Sequence, residues 1–393
     1  MNENFLSKRL TEREEQGSLR KLSISNGLVD FSSNDYLGFA RSEELSHEVQ
    51  KELSLLRTPR SGLFGSTGSR LLTGNSQYAE ELEKFIAEYH KAEAGLLFNS
   101  GYNANIGLIS SVAGKEDVIL YDELSHASIY DGVRLSKADS FPFRHNDLVH
   151  LEERLKFLRS SNTAATIFVI VESVYSMDGD FAPLIDMVAL CEDHNAKLIV
   201  DEAHATGIFG KRGEGKVVEL GLEKNIFARV HTFGKALGCH GAIVLGSADL
   251  RKYLINFARP FIYTTALPLH SLLTIRSAYN LLSNNIDKIL NINILINLFV
   301  LKVKENKLSG FLHSLSPVQS VIIEGNTEVK KIASLVQKDG YDVRPILSPT
   351  VPKGKERIRI CLHAFNTETE VSGLLVSLKK NTESVVPQKH LTA

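Results

Sequence analysis

The chain has 393 residues, with 45 Lys+Arg against 46 Asp+Glu, 43% hydrophobic and 23% charged residues. That balance supplies neither a basic face for nucleic acid nor a polybasic segment for a lipid surface, and describes an ordinary soluble globular chain long enough for two or three domains. Cys191, Cys239 and Cys361 are odd in number and lack CxxC spacing, so they read as reduced residues of a cytoplasmic protein and not as a disulfide framework or metal site.

The opening residues carry no basic region followed by an apolar core, so no signal peptide is expected. Residues 5–20 are a helix candidate, and Leu22 to Phe31 alternates around Asn26-Gly27, the strongest short-range hairpin signal. Residues 45–57 read as helix until Thr58-Pro59-Arg60-Ser61-Gly62 breaks the pattern. Asn75 or Ser76 caps a helix whose Leu82, Phe85, Ile86 and Tyr89 recur at helical spacing.

From there apolar runs alternate with helical patterns. Strands are expected at Leu96–Asn99, Val118–Tyr121, Thr166–Val171, Leu198–Val200, Phe227–Val230 and Ala242–Leu245. Helices are expected after Gly101, after His126, from Asp147 and from Pro183. That alternation implies α/β architecture, with a mostly parallel sheet between two layers of helices. After about residue 280 an Asn/Leu/Ile-rich helical region (281–307) leads into strand Ser320–Ile323, a helix around 327–338, strand Arg357–Leu362 and a last helix near 367–379. Its most apolar part, Ile289 to Val300, is interrupted by Asn291, Asn293 and Asn297 and is too short to span a bilayer. Three parts are therefore expected: an N-terminal helix and hairpin (1–45), a large domain (46–280) and a small α+β domain (281–393).

The chemistry concentrates at expected strand ends, where open α/β sheets bind ligands. Lys197-Leu198-Ile199-Val200 runs into Asp201-Glu202-Ala203-His204, and the next apolar run ends in His231-Thr232-Phe233-Gly234-Lys235. A carboxylate, an imidazole, a hydroxyl and an amine on one rim suit an organic cofactor bound through the lysine. Asp-Glu-Ala-His also occurs in helicase-type ATPases, but the GxxxxGK[ST] loop those need is absent. Asn99-Ser100-Gly101-Tyr102-Asn103 places small residues at a helix start, where backbone N–H groups and the helix dipole can hold an anion. His126 stacks on a planar ring or merely caps the next helix. Glu172 to Asp180 is carboxylate-rich, but the twelve-residue calcium loop is missing, so no metal is expected.

Several motifs in order carry a resemblance: Gly65-Ser66-Thr67-Gly68-Ser69-Arg70, Asn99-Ser100-Gly101-Tyr102-Asn103-Ala104-Asn105, Tyr175-Ser176-Met177-Asp178-Gly179-Asp180, Asp201-Glu202-Ala203-His204, Thr232-Phe233-Gly234-Lys235-Ala236-Leu237-Gly238 and Pro349-Thr350-Val351-Pro352. Together, across most of the chain, these residues resemble the α-oxoamine synthase family of enzymes dependent on pyridoxal 5'-phosphate (PLP). The resemblance implies fold type I of such enzymes, the aspartate-aminotransferase fold. It also implies decarboxylative condensation of an amino acid with an acyl thioester. Arg70-Leu71-Leu72-Thr73-Gly74-Asn75, Asp178–Leu184 and Arg259–Pro268 are most similar to members that join L-alanine to pimeloyl-CoA or pimeloyl-acyl carrier protein; members using glycine or serine are the alternative.

The resemblance assigns roles residue by residue. Lys235 is the amine that joins PLP covalently, Asp201 pairs with the pyridine nitrogen, His126 stacks on the ring and His204 meets its phenolic oxygen. Gly101, Tyr102, Ser176 and Thr232 hold the cofactor, chiefly on its phosphate side. Thr264 and Thr265 reach the phosphate from the partner subunit of a homodimer with a shared active site. Arg359 with Asn34 binds the amino acid carboxylate, and Arg20 and Thr350 contact the acyl substrate. No nucleic acid and no membrane partner is implied.

Overall fold

A computed structural model describes residues 4–22, 24, 27–56, 64–161 and 165–385. It divides into two compact units. The larger comprises Asp35–Ser176 and Phe181–Ile289; the smaller comprises Met1–Asn34, Met177–Asp180 and Leu290–Ala393. The strands among the described residues are β1 (Val29–Asp30), β2 (Ala94–Phe98), β3 (Val118–Asp122), β4 (Asp139–Phe143), β5 (Ile167–Glu172), β6 (Lys197–Asp201), β7 (Ala228–Thr232), β8 (Ala242–Gly246), β9 (Val318–Ile322), β10 (Tyr341–Asp342), β11 (Arg344–Ile346) and β12 (Arg357–Cys361).

In the larger unit seven strands form one sheet in the order β2-β8-β7-β6-β5-β3-β4. Only β8 runs against the others, pairing antiparallel with both β2 and β7. The sheet is buried on both faces because consecutive positions within β3, β5 and β6 are apolar, up to the acid that ends each strand. Val118, Leu120, Ile167, Val169, Val171, Leu198 and Val200 enter one core, packed with Leu151 and Leu155 of the helix Leu148–Ser161 and with Met187. Ile119, Phe168, Ile170 and Ile199 enter the other, with Leu108 and Ile129. Odd and even positions of one strand thus serve opposite helical layers, which is the two-residue period of a strand read twice. Each such side chain contributes about 1.5–3 kcal/mol on full burial.

Helix starts follow local chemistry. Ser76 caps Gln77–Tyr89 by accepting from the Ala79 N–H, and Ser100 caps Gly101–Val112 by accepting from the Asn103 N–H. The expected stripe on the first of these is buried at Leu82, Ile86 and Tyr89, with Phe85 half-buried.

The smaller unit holds a three-stranded antiparallel sheet, β11-β12-β9, and the short parallel pair β1-β10. The helices Asn326–Lys338 and Glu368–Val385 pack against each other. The expected N-terminal helix forms over Asn4–Glu15 and buries none of its residues.

Three expectations are corrected. No hairpin forms around Gly27 among the described residues. Val29–Asp30 instead pairs in parallel with Tyr341–Asp342, while Leu22 and Ile24 stand fully exposed with no core to face; Asn26 lies outside the described residues. Strand β4 was not anticipated, because Asp139 and Pro142 read against a strand. It sits at the sheet edge, where a missing N–H is tolerated. The helical region 281–307 is two helices, Leu269–Asn284 and Ile286–Glu305, separated at Asn285. The expected break at Thr58–Gly62 and the last eight residues lie outside the described residues.

Candidate active site

Four adjacent strands of the larger unit, β7, β6, β5 and β3, end in Thr232, Asp201, Glu172 and Asp122. At their carboxyl ends lies a cleft with about 480 Å³ of empty space, lined in part by Gly101, Tyr102, His126, Asp201, His204, Thr232 and Lys235. Seven residues singled out from the sequence are thus brought to one place.

The turns that carry them are closely packed. Gly207, with φ of +84°, brings the turn after His204 against Ala236; a Cβ there would stand 2.6 Å from the Ala236 Cβ. Gly238, with φ of +60°, lets the lysine segment pass the backbone of Ala40 where any side chain would overlap it. Lys235 is half-buried at the cleft wall.

A hydrogen-bonded chain orders the cleft. The buried Asp201 accepts from Asn105 Nδ2 at 2.7 Å and from the Ala203 N–H at 2.8 Å, one bond to each oxygen. Asn105 also donates to Ser128 Oγ at 2.9 Å, and that hydroxyl lies 2.8 Å from His126 Nδ1. The Ser128 N–H points at the same nitrogen, at 3.2 Å. Nδ1 is therefore an acceptor and the His126 ring is neutral. Its pKa lies below the ordinary value for the same reason: desolvation disfavours the cation, and Lys235 adds to this, while Asp201 opposes it.

His204 is buried and its Nδ1 lies 2.7 Å from the hydroxyl of the fully buried Tyr36, which fixes the ring's orientation. Tyr102 donates its hydroxyl to Asp131. Beside Asp201 stands Glu172, its partner in the β5–β6 register, which accepts the His126 N–H at 2.6 Å.

Sequence reasoning passed over four of these residues. Glu172 was weighed only as a metal ligand. Among the described residues no group of three or more His, Cys, Asp and Glu could hold a metal. Asn105 lies inside a quoted motif without any role of its own, Ser128 follows His126 by two residues, and Tyr36 follows Asn34 by two. Their signal was the company they keep in the chain.

Other predicted residues lie apart from this lining. Ser176 is buried beyond β5. Thr264 and Thr265 meet Asn99, whose Nδ2 donates to Thr264 Oγ1 at 3.0 Å and to the Thr265 carbonyl at 2.8 Å. Within the smaller unit, Arg359 Nη2 donates to Asn34 Oδ1 at 2.9 Å, and Arg20 Nη2 donates to Thr350 Oγ1 at 3.2 Å. Both pairings join residues that the sequence had grouped by role. Nearby in the same unit, the buried Arg357 forms an ion pair with Asp178.

The cleft fits a protonated heterocyclic aldehyde. Both oxygens of a buried carboxylate are held as acceptors, so Asp201 can face a protonated ring nitrogen. An amine for covalent attachment, a neutral imidazole and the first turn of the helix Gly101–Val112 complete the set, and the N–H groups of a first helical turn have no partner within the helix. This fold and site define a PLP-dependent enzyme of fold type I. A family model, aminotransferase class I and II, matches residues 26–378, and the chain belongs to that family. Among its relatives, an 8-amino-7-oxononanoate synthase of Emericella nidulans is 45% identical over 403 residues, covering 98% of this chain and 97% of that one. Two solved structures are similar throughout. A serine palmitoyltransferase from S. paucimobilis with PLP–myriocin bound has a TM-score of 0.86 at 26% identity, covering 97% of this chain and 98% of the other. An 8-amino-7-oxononanoate synthase from Francisella tularensis has a TM-score of 0.75 at 26% identity, covering 92% of this chain and 99% of the other.

Proposed function

We propose that this enzyme condenses L-alanine with pimeloyl-CoA or a pimeloyl-acyl carrier protein, releasing carbon dioxide and the free thiol carrier and yielding 8-amino-7-oxononanoate. The observation that carries this reading is the 45% identity to a synthase of that name over nearly the whole of both chains. Lys235, Asp201 and His204 gathered in one cleft support it further.

PLP, when bound, supplies the electron sink that lets a carbanion form at the amino acid's Cα. Asp201 would hold the ring-nitrogen proton, its two oxygens aimed by the bonds from Asn105 and Ala203. His204, oriented by Tyr36, holds the phenolic oxygen, and His126 covers the ring face. Gly101, Tyr102 and Thr232, which line the cleft, would hold the cofactor, chiefly on its phosphate side. Lys235 would hold the cofactor through Nζ, and that nitrogen would take the Cα proton and later return one to the product. Arg359 binds the substrate carboxylate through its guanidinium fork, positioned by Asn34 Oδ1. Arg20 and Thr350 contact the acyl chain or its carrier.

The same reading includes a homodimer in the cytoplasm, with Thr264 and Thr265 completing the partner's phosphate site. Exposed apolar side chains in the larger unit support it: Phe64 is 91% exposed, Leu72 81% and Tyr263 72%. No disulfide joins Cys191, Cys239 and Cys361. Among the described residues no helix is long and apolar enough to cross a membrane.

A second reading, a family member that uses serine or glycine, draws support from the higher TM-score of the serine palmitoyltransferase, 0.86 against 0.75. Steady-state assays of alanine, serine and glycine against pimeloyl-, palmitoyl-, acetyl- and succinyl-CoA separate the two. Preference for alanine with pimeloyl-CoA is expected; preference for serine with palmitoyl-CoA would overturn the first reading.

A further inference from the structure

Three strands that lie side by side, β3, β5 and β6, all end in acids: Asp122, Glu172 and Asp201. Glu172 and Asp201 are register partners on one face of the sheet, and two neighbouring buried carboxylates do not both ionise without strong repulsion; Asp122, level with Val171, belongs to the opposite face. The outer two have both oxygens committed as acceptors. Asp122 receives the Leu124 N–H at 2.8 Å and the Asn146 N–H at 2.9 Å, and it lies 2.8 Å from His145 Nδ1. Asp201 receives Asn105 and Ala203. Glu172, the middle acid, is 2% exposed and accepts the His126 N–H through Oε1.

We propose that Glu172, beside Asp201, is a neutral acid with its proton on Oε2, and that it is a positioning residue for His126 and a charge regulator for Lys235. The proposal rests on reading this cleft as the PLP site. The groups that face Glu172 are Asp201 from β6, Lys235 from the segment after β7 and His126 ahead of the helix Ala127–Leu135, while Asp122 of β3 acts on it from the other face of the sheet. Burial raises the Glu172 pKa from 4.5 to about 8, with Asp201 and Asp122 adding to the rise while Lys235 and the His126 N–H oppose it. A neutral Glu172 leaves Asp201 as the carboxylate that serves the heterocycle. It also spares Lys235 a second negative neighbour, which would favour the unreactive ammonium. Its other oxygen pins the backbone from which His126 projects.

The test needs no turnover. In the cofactor-free protein the folded state holds one more proton on Glu172 than the unfolded chain does between about pH 5 and 8, so wild type loses stability as pH rises through that window. Glu172→Gln removes the effect. The melting temperature of E172Q minus that of wild type should therefore climb from pH 5 to 8 and level off above. Infrared difference spectra of wild type against E172Q should show the carbonyl band of a protonated acid at pH 7 and its loss by pH 10. Should E172Q fail to fold, carbon NMR of wild type labelled at glutamate carboxyls gives the same answer: one glutamate titrating near pH 8 supports the proposal. A carboxylate signal at pH 7, or a melting difference flat from pH 5 to 8, overturns it. Failure of the apoprotein to take up PLP would instead remove the functional reading and leave this titration standing.

Discussion

Tyr36→Phe is a narrow test of how the cleft is held. The change removes one hydroxyl from a fully buried ring and leaves His204 Nδ1, 2.7 Å away, without that partner in a buried setting. A buried polar atom stripped of its bond costs about 1–3 kcal/mol. If roughly 2 kcal/mol of that falls on the cofactor-bound state, PLP affinity weakens by about thirty-fold. Equilibrium titration of apoprotein with PLP, followed by absorbance, reads the loss directly. Pairing Y36F with His204→Gln in a double-mutant cycle then isolates the coupling, expected at about 0.5–3 kcal/mol for contacting residues. A Y36F protein that binds PLP as wild type does, with no coupling to His204, would show that Tyr36 does not orient that imidazole.

Arg359→Lys keeps the charge but loses the planar fork, so the KM for the amino acid should rise about ten- to hundred-fold with a smaller loss in kcat; equal loss in both would place Arg359 outside ground-state binding. Glu83→Ala strands two guanidiniums, since the buried Glu83 pairs with Arg70 at 2.5 Å and Arg251 at 2.8 Å and also accepts the Leu97 N–H. Breaking a buried pair of this kind costs about 3–5 kcal/mol, to be read by denaturant unfolding. Asp30→Asn probes acid stability. Burial works against the charged form of Asp30, but the Ser33 N–H, the His363 charge and the Ser32 N–H together hold its pKa well below the ordinary carboxylate value. Wild type should be the more stable at pH 7, and its advantage over D30N should shrink as pH falls below about 4, where the unfolded carboxylate protonates.

What was legible in the chain was whatever depends on near neighbours. The apolar run Thr166–Val171 announced a strand buried on both faces, and β5 is buried throughout. Ser76 announced its helix through one hydrogen bond three residues on. The lysine, the two histidines and Asp201, which line one cleft, stood out because their motifs are local strings at strand ends. What was hidden depends on which segments end up adjacent. Val29–Asp30 pairs with Tyr341–Asp342, so the turn signal at Asn26-Gly27 carried no weight against a distant strand. Tyr36 finds His204 across 168 residues, and Asn105 finds Asp201 across 96. Glu172 acquires its meaning only when β5 and β6 line up and place it beside Asp201. Strand β4 was masked by its proline, which an edge position makes harmless.

The central claim is that Nζ of Lys235 carries the cofactor. Loading the protein with PLP, reducing it with borohydride and locating the modification by peptide mass spectrometry tests this in one step. The account predicts a stable phosphopyridoxyl adduct on Lys235, absent from Lys235→Ala. An adduct confined to other lysines, or no adduct at saturating PLP, would contradict it.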